Sequence, residues 1–158
     1  MPKLLSEVFG PGETTLTVDV PYTIYAVPVG RGNPVNLSGN SAAKNSRRSK
    51  WALIMHTAAR KQCERDFYFA TKHSLEYLQR TGRGQSPALG DQVVVSITPT
   101  VYRPSSRRRD ADNFWSGMKS ALDGVAKALY VDDSRFALMP VTWTKGQDRT
   151  LLTIEVKE

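Results

Sequence analysis

The clearest pattern in the sequence is an alternation of apolar and polar residues in two segments, which is typical of strands with one buried face. The first segment, residues 14 to 29, predicts one or two strands, which Pro21 and Pro28 restrict to sheet edges or breaks. The second segment, residues 91 to 102, predicts one further strand. The inward-facing residues are expected to be Leu16, Val18, Val20, Val93, Val95, Ile97 and Val101.

Apolar residues at helical spacing predict two helices. The first runs from Trp51 to Arg80, with Gly82 as its stop signal. Its apolar stripe consists of Trp51, Ile54, Met55, Ala58, Ala59, Cys63, Phe67 and Ala70. The second helix begins at about Asn113 and reaches Tyr130. Its predicted core face is Phe114, Met118, Ala121, Leu122, Val125 and Leu129, and its polar stripe is Asp112, Ser116, Lys119 and Asp123.

Residues 136 to 144 and 150 to 157 flank turn residues 145 to 148 and predict a hairpin. The element order therefore predicts an α/β (α+β) fold, a mixed β-sheet with two main helices packed over it. Residues 1 to 158 are expected to form a single domain. The polar, glycine- and asparagine-rich segment 30 to 50 predicts a mobile loop within that domain.

Charge adds a second kind of information. The chain has 22 Lys and Arg against 15 Asp and Glu, a formal net charge of +7. This excess favours a polyanionic partner, although an ordinary basic surface would give the same value. With one cysteine, Cys63, and two histidines, His56 and His73, one chain cannot build a closed zinc site from cysteine and histidine ligands.

Sequence signals for membranes and for nucleotide binding are absent. The first twelve residues lack the apolar run of a signal peptide, and no segment approaches the ~20 apolar residues of a membrane span. We therefore expect a cytoplasmic protein, of a bacterial or phage-infected cell, without a membrane partner. The sequence GxxxxGK[ST] is absent, so we expect no nucleotide cofactor.

Two acidic pairs are the strongest candidates for chemistry. Asp110 and Asp112 precede the second helix, and Asp132 and Asp133 follow it. In extended backbone, residues two apart project the same way about 6.5 Å apart, so the first pair can converge on one cation. Such hard oxygen ligands suit Mg²⁺, with Mn²⁺ as a substitute. A bound Mg²⁺ can activate water and offset charge at a scissile phosphate.

A simpler interpretation is that these aspartates only cap helices and turns, as aspartates commonly do. Three features favour a metal site: the second acidic pair, the arginines that abut the first, and Lys119 on the polar stripe, where an ammonium can hold a phosphate. A solvated helix face with an ion pair between Lys119 and Asp123 would explain the stripe equally well.

The sequences DADN, the helix containing Lys119 and Ala121-Leu122-Asp123, and VDDSRF together resemble the signature of RusA-type Holliday junction resolvases. The preceding strand with its arginine-rich end, the long helix before it and the MPVTWTKG segment resemble the family too. The similarity therefore covers most of the chain from about residue 14.

The resemblance implies a RusA-like fold and a homodimeric, Mg²⁺-dependent endodeoxyribonuclease that nicks opposing strands of four-way DNA junctions, with phage recombination, replication or repair as its setting. It implies Asp110, Asp112 and Asp133 as metal-binding and catalytic residues, with Asp132 as a further contributor. The family lysine falls where this chain has Ser116. Lys119, about one turn further on, keeps the usual four-residue offset to Asp123 and is the candidate catalytic lysine.

Basic residues beside the acidic pair are the predicted DNA contacts. Arg107, Arg108 and Arg109 directly precede Asp110, with Arg103 close by, and Lys145 lies in the predicted hairpin turn. A further candidate strip lies in the predicted loop, at Arg31, Lys44, Arg47, Arg48 and Lys50. Phosphate neutralisation by such residues predicts binding that weakens steeply with salt.

The length of the second predicted helix creates a geometric difficulty for a shared metal site. An unbroken helix over residues 113 to 130 would be about 27 Å long and would hold Asp112 and Asp133 apart. Either Gly124 ends or bends the helix and the chain runs back, the arrangement that we favour, or the acidic pair of one subunit meets the DADN of its partner. Two other functions compete: a nuclease for flaps or forks, and a non-catalytic DNA-binding protein.

Overall fold

The structure, a computed structural model, describes residues 15–38, 50–80, 94–105 and 109–157. These residues form five strands, three α-helices and one 3-10 helical turn. In chain order the elements are β1 (Thr15–Val20), α1 (Lys50–Arg80), β2 (Val94–Arg103), α2 (Ala111–Gly117), α3 (Lys119–Leu129), the 3-10 turn (Asp133–Arg135), β3 (Phe136–Leu138), β4 (Thr142–Lys145) and β5 (Arg149–Lys157).

The strands form one mixed sheet in the order β1-β5-β2-β3, with β4 also paired to β2. β5 is antiparallel to both β1 and β2, whereas β3 and β4 are parallel to β2. The register aligns Leu16, Ile154 and Ile97 across three strands, and all three are buried. The predicted fold class, a mixed sheet with helices packed on it, is confirmed at this level. The strand alternation predicted for β1 and β2 is confirmed for the described residues, because Leu16, Val18, Val20, Val95, Ile97 and Val101 are all buried. Val93 lies outside the described residues.

β3 and β4 form one interrupted edge along β2. Leu138 pairs with Ile97 and Thr142 with Thr100, so three residues of the edge face two residues of β2, which is a β-bulge. The amide of Met139 donates to the carbonyl of Ile97 at 2.9 Å, so the backbone of Ile97 faces this edge. The backbone of Pro99, two residues later, faces the same edge. Because proline has no N–H to donate, it lies where the hydrogen bonds between β2 and this edge are interrupted.

Helix α1 matches the predicted segment. Ala59, Cys63 and Phe67 of the predicted stripe are buried in the core, whereas Trp51 and Ile54 are 68% and 56% exposed and do not join it. Burial raises the pKa of the Cys63 thiol to about 12, so it stays protonated and unreactive at neutral pH. None of the helices in the described ranges has the length and apolar composition that a membrane span needs.

The second predicted helix is two helices, α2 and α3, that meet at Met118. Its predicted core face is confirmed, because Phe114, Met118, Ala121, Leu122, Val125 and Leu129 are all buried. The break coincides with a tight contact at Gly117. A Cβ added there would lie 2.5 Å from Cδ1 of Ile24 and 2.7 Å from the carbonyl oxygen of Leu37. The segment that contains Ile24 and Leu37 therefore packs directly on the last turn of α2.

The prediction that Gly124 ends the helix is wrong. Gly124 lies inside α3, and a Cβ at this position would be 2.2 Å from the carbonyl oxygen of Glu64 in α1. The glycine is required because the two helix backbones approach each other closely at that point. An ion pair between Lys127 and Glu64 joins the same two helices at the surface.

The predicted hairpin is also wrong. β4 and β5 lie on opposite sides of β2, and the turn between them passes over the end of β2, where the amide of Gly146 donates to the carbonyl of Arg103 at 2.8 Å. Parallel pairing explains the difference: β2, α2, α3 and β3 form a crossover unit, so β4 continues along the far edge of β2.

Part of the predicted loop over residues 30 to 50 is attached to the core. Val27 and Val35 exchange two backbone hydrogen bonds of 2.8 and 2.9 Å. Leu37 is buried, and its amide donates to the carbonyl of Ile24. Residues 39 to 49, which include Lys44, Arg47 and Arg48, lie outside the described residues, as does the predicted stop at Gly82.

Candidate functional site

The first acidic pair lies at the turn that leads from β2 into α2. Asp110 has extended backbone (φ −64°, ψ 125°) and is the N-cap of α2. Its Oδ1 accepts hydrogen bonds from the amides of Asp112, at 2.9 Å, and Asn113, at 3.3 Å. Asp110 therefore does perform the capping role that the sequence left open. The expected extended backbone through Asp112 is wrong, because Ala111 and Asp112 are already helical.

Capping leaves carboxylate oxygens of this acidic pair without a hydrogen bond in the described structure. Both Asp110 and Asp112 are exposed, and Oδ2 of Asp110 has no hydrogen-bond partner within the described ranges. The cap instead fixes the Asp110 carboxylate against the first turn of α2. The turn therefore presents two carboxylates to solvent from a defined backbone.

A buried aromatic group supports this turn. Phe114 is fully buried in the first turns of α2, with Trp115 at 5.2 Å and Trp143 of β4 at 5.6 Å between ring centroids, both nearly edge-on. Trp143 also contacts Tyr25, at 6.2 Å. Through these rings the acidic turn is attached to the sheet edge and to the segment that follows β1.

Tyr25 gathers two arginines beside the acidic turn. The guanidinium of Arg103 lies 4.5 Å from the centroid of the Tyr25 ring and that of Arg109 lies 5.6 Å away, both within cation–π range. Burial raises the pKa of Tyr25 to about 12, with Asp110 also raising it and the arginines opposing, so the phenol stays protonated. Burial first, and then Arg109, lowers the pKa of Arg103.

Two polar atoms of this group are buried without partners in the described structure: the hydroxyl of Tyr25 and Nη1 of Arg103. Buried polar atoms are nearly always hydrogen-bonded, so an unpaired one calls for a specific explanation, such as a catalytic role or a bound water or ion. Lys145, exposed at the end of β4, pairs in register with Arg103. Arg103, Arg109 and Lys145 therefore gather at the carboxyl end of β2. Arg107 and Arg108 lie outside the described residues.

The second acidic pair follows α3. That helix ends at Tyr130, whose backbone is left-handed (φ 56°), and Asp132 then caps the 3-10 turn by accepting from the amide of Ser134 at 2.9 Å. Hydrogen bonds from the side chain and the backbone amide of Ser134 lower the pKa of Asp132, so its carboxylate is ionised at neutral pH. Asp133 is exposed. Both aspartates line an open groove of about 550 Å³, together with Asp123 and Lys127.

The structure places these two acidic pairs at opposite ends of the crossover. Helices α2 and α3 cover residues 111–129, which would span about 28 Å if the axes were collinear. Likewise β3, which follows Asp133, begins beside Val95, whereas Asp110 follows the other end of β2 at Arg103, about 26 Å along the strand. In the described parts of the chain, no three His, Cys, Asp or Glu side chains form a metal-binding group.

Lys119 lies between the two pairs, at the first position of α3. It is exposed and lines a cleft with Ser116 and Asp123, so this part of the predicted polar stripe is confirmed. The same cleft contains His56 and Arg60 of α1, which sequence reasoning missed, as it missed Tyr25. No local pattern identifies these three residues, because only tertiary packing brings them to the site.

The chain was compared with known proteins. No protein-family model matches it, and no curated protein matches it in sequence. The motifs DADN and VDDSRF, with the geometry around them, are therefore the basis on which a function can be proposed.

Proposed function

We propose that this protein is a Mg²⁺-dependent, structure-specific endodeoxyribonuclease that resolves Holliday junctions by paired nicking. The observation that carries the proposal is the Asp110 turn, where two exposed carboxylates lie beside the basic group of Arg103, Arg109 and Lys145. The resemblance of DADN and VDDSRF to the RusA-type signature supplies the substrate and the reaction class.

The donors at this turn fit a magnesium ion. Proteins usually hold Mg²⁺ through one or two carboxylates, with water and substrate phosphate as the remaining ligands. Asp110, through its unbonded Oδ2, and Asp112 would hold the ion in this way, and Mn²⁺ accepts the same oxygen donors. When bound, the ion would activate water and offset negative charge at the scissile phosphate.

The chain's own basic residues act on the DNA backbone. An acidic pair repels the phosphate that it must approach, and cations beside it reverse that repulsion. Arg109 and Arg103 would contact the phosphates that flank the cleaved bond, with Lys145, Arg107 and Arg108 extending the contact. The Tyr25 ring holds the guanidinium groups of Arg103 and Arg109 beside the acidic turn.

The opposite positions of the two acidic pairs impose a condition on this proposal. For Asp133, with Asp132, to share an ion with Asp110 and Asp112, the pairs must come from different subunits. We therefore propose a homodimer in which each active site combines the Asp110 turn of one subunit with the Asp133 turn of its partner. Lys119, exposed at the start of α3, would contact a phosphate of the bound DNA.

The first test is nicking of a four-way junction with Mg²⁺ or Mn²⁺. Asp110→Asn should abolish nicking while junction binding persists, because asparagine keeps the N-cap but lacks the charge of a metal ligand. Glu76→Gln, which removes an exposed carboxylate from α1, is the matched control and should nick normally. A wild-type protein that nicks no branched DNA with either metal would exclude the enzyme.

A panel of substrates separates two nucleases that would use the same residues. Symmetric, paired nicks in four-way junctions support a resolvase. Cleavage confined to flaps or forks would instead support a nuclease for other branched DNA.

Mixed dimers test the shared site. Asp110→Asn and Asp133→Asn subunits, each inactive alone, should regain nicking when mixed, because one site of each heterodimer then has all its aspartates. Since that heterodimer has one working site, it should give single rather than paired nicks. If the mixture stays inactive while heterodimers form, the two-subunit site is wrong.

A second candidate function is a non-catalytic DNA-binding protein. It is favoured by the observation that Asp110 and Asp132 each cap a helical segment through Oδ1. This function predicts that junction binding is the same with Mg²⁺ and with a chelator, and that nicking is absent. The basic group at the end of β2 would then be the whole of the functional surface.

A further inference from the structure

A second polar cleft, separate from both acidic pairs, lies where α2 meets α3 and α1 passes alongside. Its volume is about 390 Å³. The polar side chains that line it are His56, Arg60, Ser116, Lys119, Ser120 and Asp123. It combines three features that together indicate a ligand: a helix start without a side-chain cap, an unpaired buried histidine and an excess of positive charge.

The first feature follows from the bend at Met118. The amide of Met118 donates to the carbonyl of Phe114 at 3.0 Å, and the amide of Leu122 donates to the carbonyl of Met118 at 2.9 Å. Lys119, Ser120 and Ala121 form the first turn of α3, and Met118 provides no side-chain cap for their amides. Amides in the first turn of a helix carry partial positive charge, and α3 is eleven residues long.

The second feature is His56. It is only 6% exposed, it lines the cleft, and its Nε2 has no hydrogen-bond partner among the residues that the structure describes. Burial, and then the charge of Arg60, lowers the pKa of His56, so the ring is neutral at neutral pH. A buried ring nitrogen without a partner costs free energy unless something else satisfies it.

The third feature is charge. Arg60 of α1 and Lys119 of α3 face one carboxylate, Asp123, so the side chains carry one net positive charge. The hydroxyls of Ser116 and Ser120 add donors. A singly charged phosphodiester matches this balance better than a doubly charged phosphate monoester, because the Asp123 carboxylate repels the second charge.

We propose that this cleft binds a phosphate group, a phosphodiester of the DNA backbone, through the amides of Lys119 and Ser120, the side chains of Arg60 and Lys119, and the ring of His56. Helix N-termini with free amides are common anion sites, and charged side chains strengthen them. The evidence for a phosphate site comes from the cleft itself and does not depend on the proposed function. Its DNA source rests on the proposed function.

The site is tested by titrating inorganic phosphate at constant ionic strength, followed by amide and imidazole NMR shifts of the whole chain. We expect saturable shifts at Lys119, Ser120, Ala121 and His56. Lys119→Gln and Arg60→Gln should each weaken binding about tenfold, the loss of one charge-assisted hydrogen bond. His56→Phe, which keeps an aromatic ring but removes both ring nitrogens, should also weaken phosphate binding.

Lys61→Gln is the matched control. Lys61 is the next residue on α1 and loses the same charge, but it lines a separate groove with Leu53 and Ile54. Phosphate affinity should be unchanged in this variant. The phosphate site is overturned if no saturable shift occurs, or if Lys61→Gln weakens binding as much as Arg60→Gln.

A second titration with junction DNA tests the source of the phosphate. DNA should shift the same amides, and Arg60→Gln should reduce the slope of affinity against salt by about one. If inorganic phosphate binds but DNA leaves these amides unshifted, the DNA source is wrong. Nicking is a separate measurement. A protein that binds phosphate in this cleft but nicks no DNA would exclude the nuclease function and leave the phosphate site intact.

Discussion

The two acidic turns use the same local device and differ in almost everything around it. At each turn an aspartate Oδ1 accepts from the amide two residues on, at 2.9 Å. The Asp110 turn leads into a helix whose next buried residue, Phe114, sits among aromatic rings. The Asp132 turn follows a tyrosine held in left-handed backbone, and residues 132 to 135 are all exposed.

Their electrostatic surroundings differ as well. Arg103, Arg109 and Lys145 lie beside the first turn. The second turn has one cation of its own, Arg135, and its groove adds Asp123 and Lys127, which is already paired with Glu64. The comparison shows that an aspartate at the start of a helical turn specifies the capping hydrogen bond, but does not by itself specify a site for chemistry. Chemistry becomes available where the tertiary fold adds cations to the cap, and the first turn is the better candidate for that reason.

Truncating the aromatic support should have the largest effect. Phe114→Ala removes a fully buried ring, and we expect the free energy of unfolding to fall by about 3–5 kcal/mol. Val131→Ala, which truncates the buried residue of the second turn, should cost clearly less. Urea denaturation of both variants measures the difference. Equal losses would show that the two turns are equally well supported.

A smaller effect separates capping from chemistry at the first turn. Asp110→Ala should lower the free energy of unfolding by about 1 kcal/mol, because two amides lose their acceptor, whereas Asp110→Asn should leave it nearly unchanged. Thermal or urea unfolding provides the measurement. Should both variants nick DNA as the wild type does, the carboxylate would have no role beyond the cap.

The smallest effect concerns acid at the second turn. Hydrogen bonds with Ser134 lower the pKa of Asp132 in the folded state, so its stabilising contribution is present above the unfolded pKa of about 3.9 and is lost as the pH falls through the folded value. Asp132→Asn should therefore lose less stability than the wild type when the pH is lowered below about 4. An unchanged pH dependence would contradict this assignment.

The parts of the fold that the sequence predicted correctly are those governed by local periodicity. The inward faces of β1 and β2 and the core face of α2 and α3 follow from side-chain periods of two and 3.6 residues, which need no knowledge of neighbours. The break at Met118 needed such knowledge, because it coincides with the segment around Leu37 packing on Gly117. The order of β4, β2 and β5 also depends on pairing between distant residues.

The same division applies to the candidate site. Arg109 and Asp110 are neighbours in the sequence, so their association was predictable. Lys145 reaches the site because β4 pairs with β2, and Tyr25 reaches it from the segment after β1. Gly124 illustrates the converse error: a glycine that locally reads as a helix stop is required by the backbone of Glu64, sixty residues earlier in the chain.

The position of β5 has a consequence for how the chain acquires its structure during synthesis. β1 stands at the edge of the described sheet with β5 as its strand neighbour, and Val20 pairs with Thr150, 130 residues later. At ribosomal rates that separation corresponds to a delay on the order of ten seconds. The backbone N–H and C=O groups of β1 therefore lack their strand partner until β5 is synthesised, and the sheet forms only after this central strand is complete.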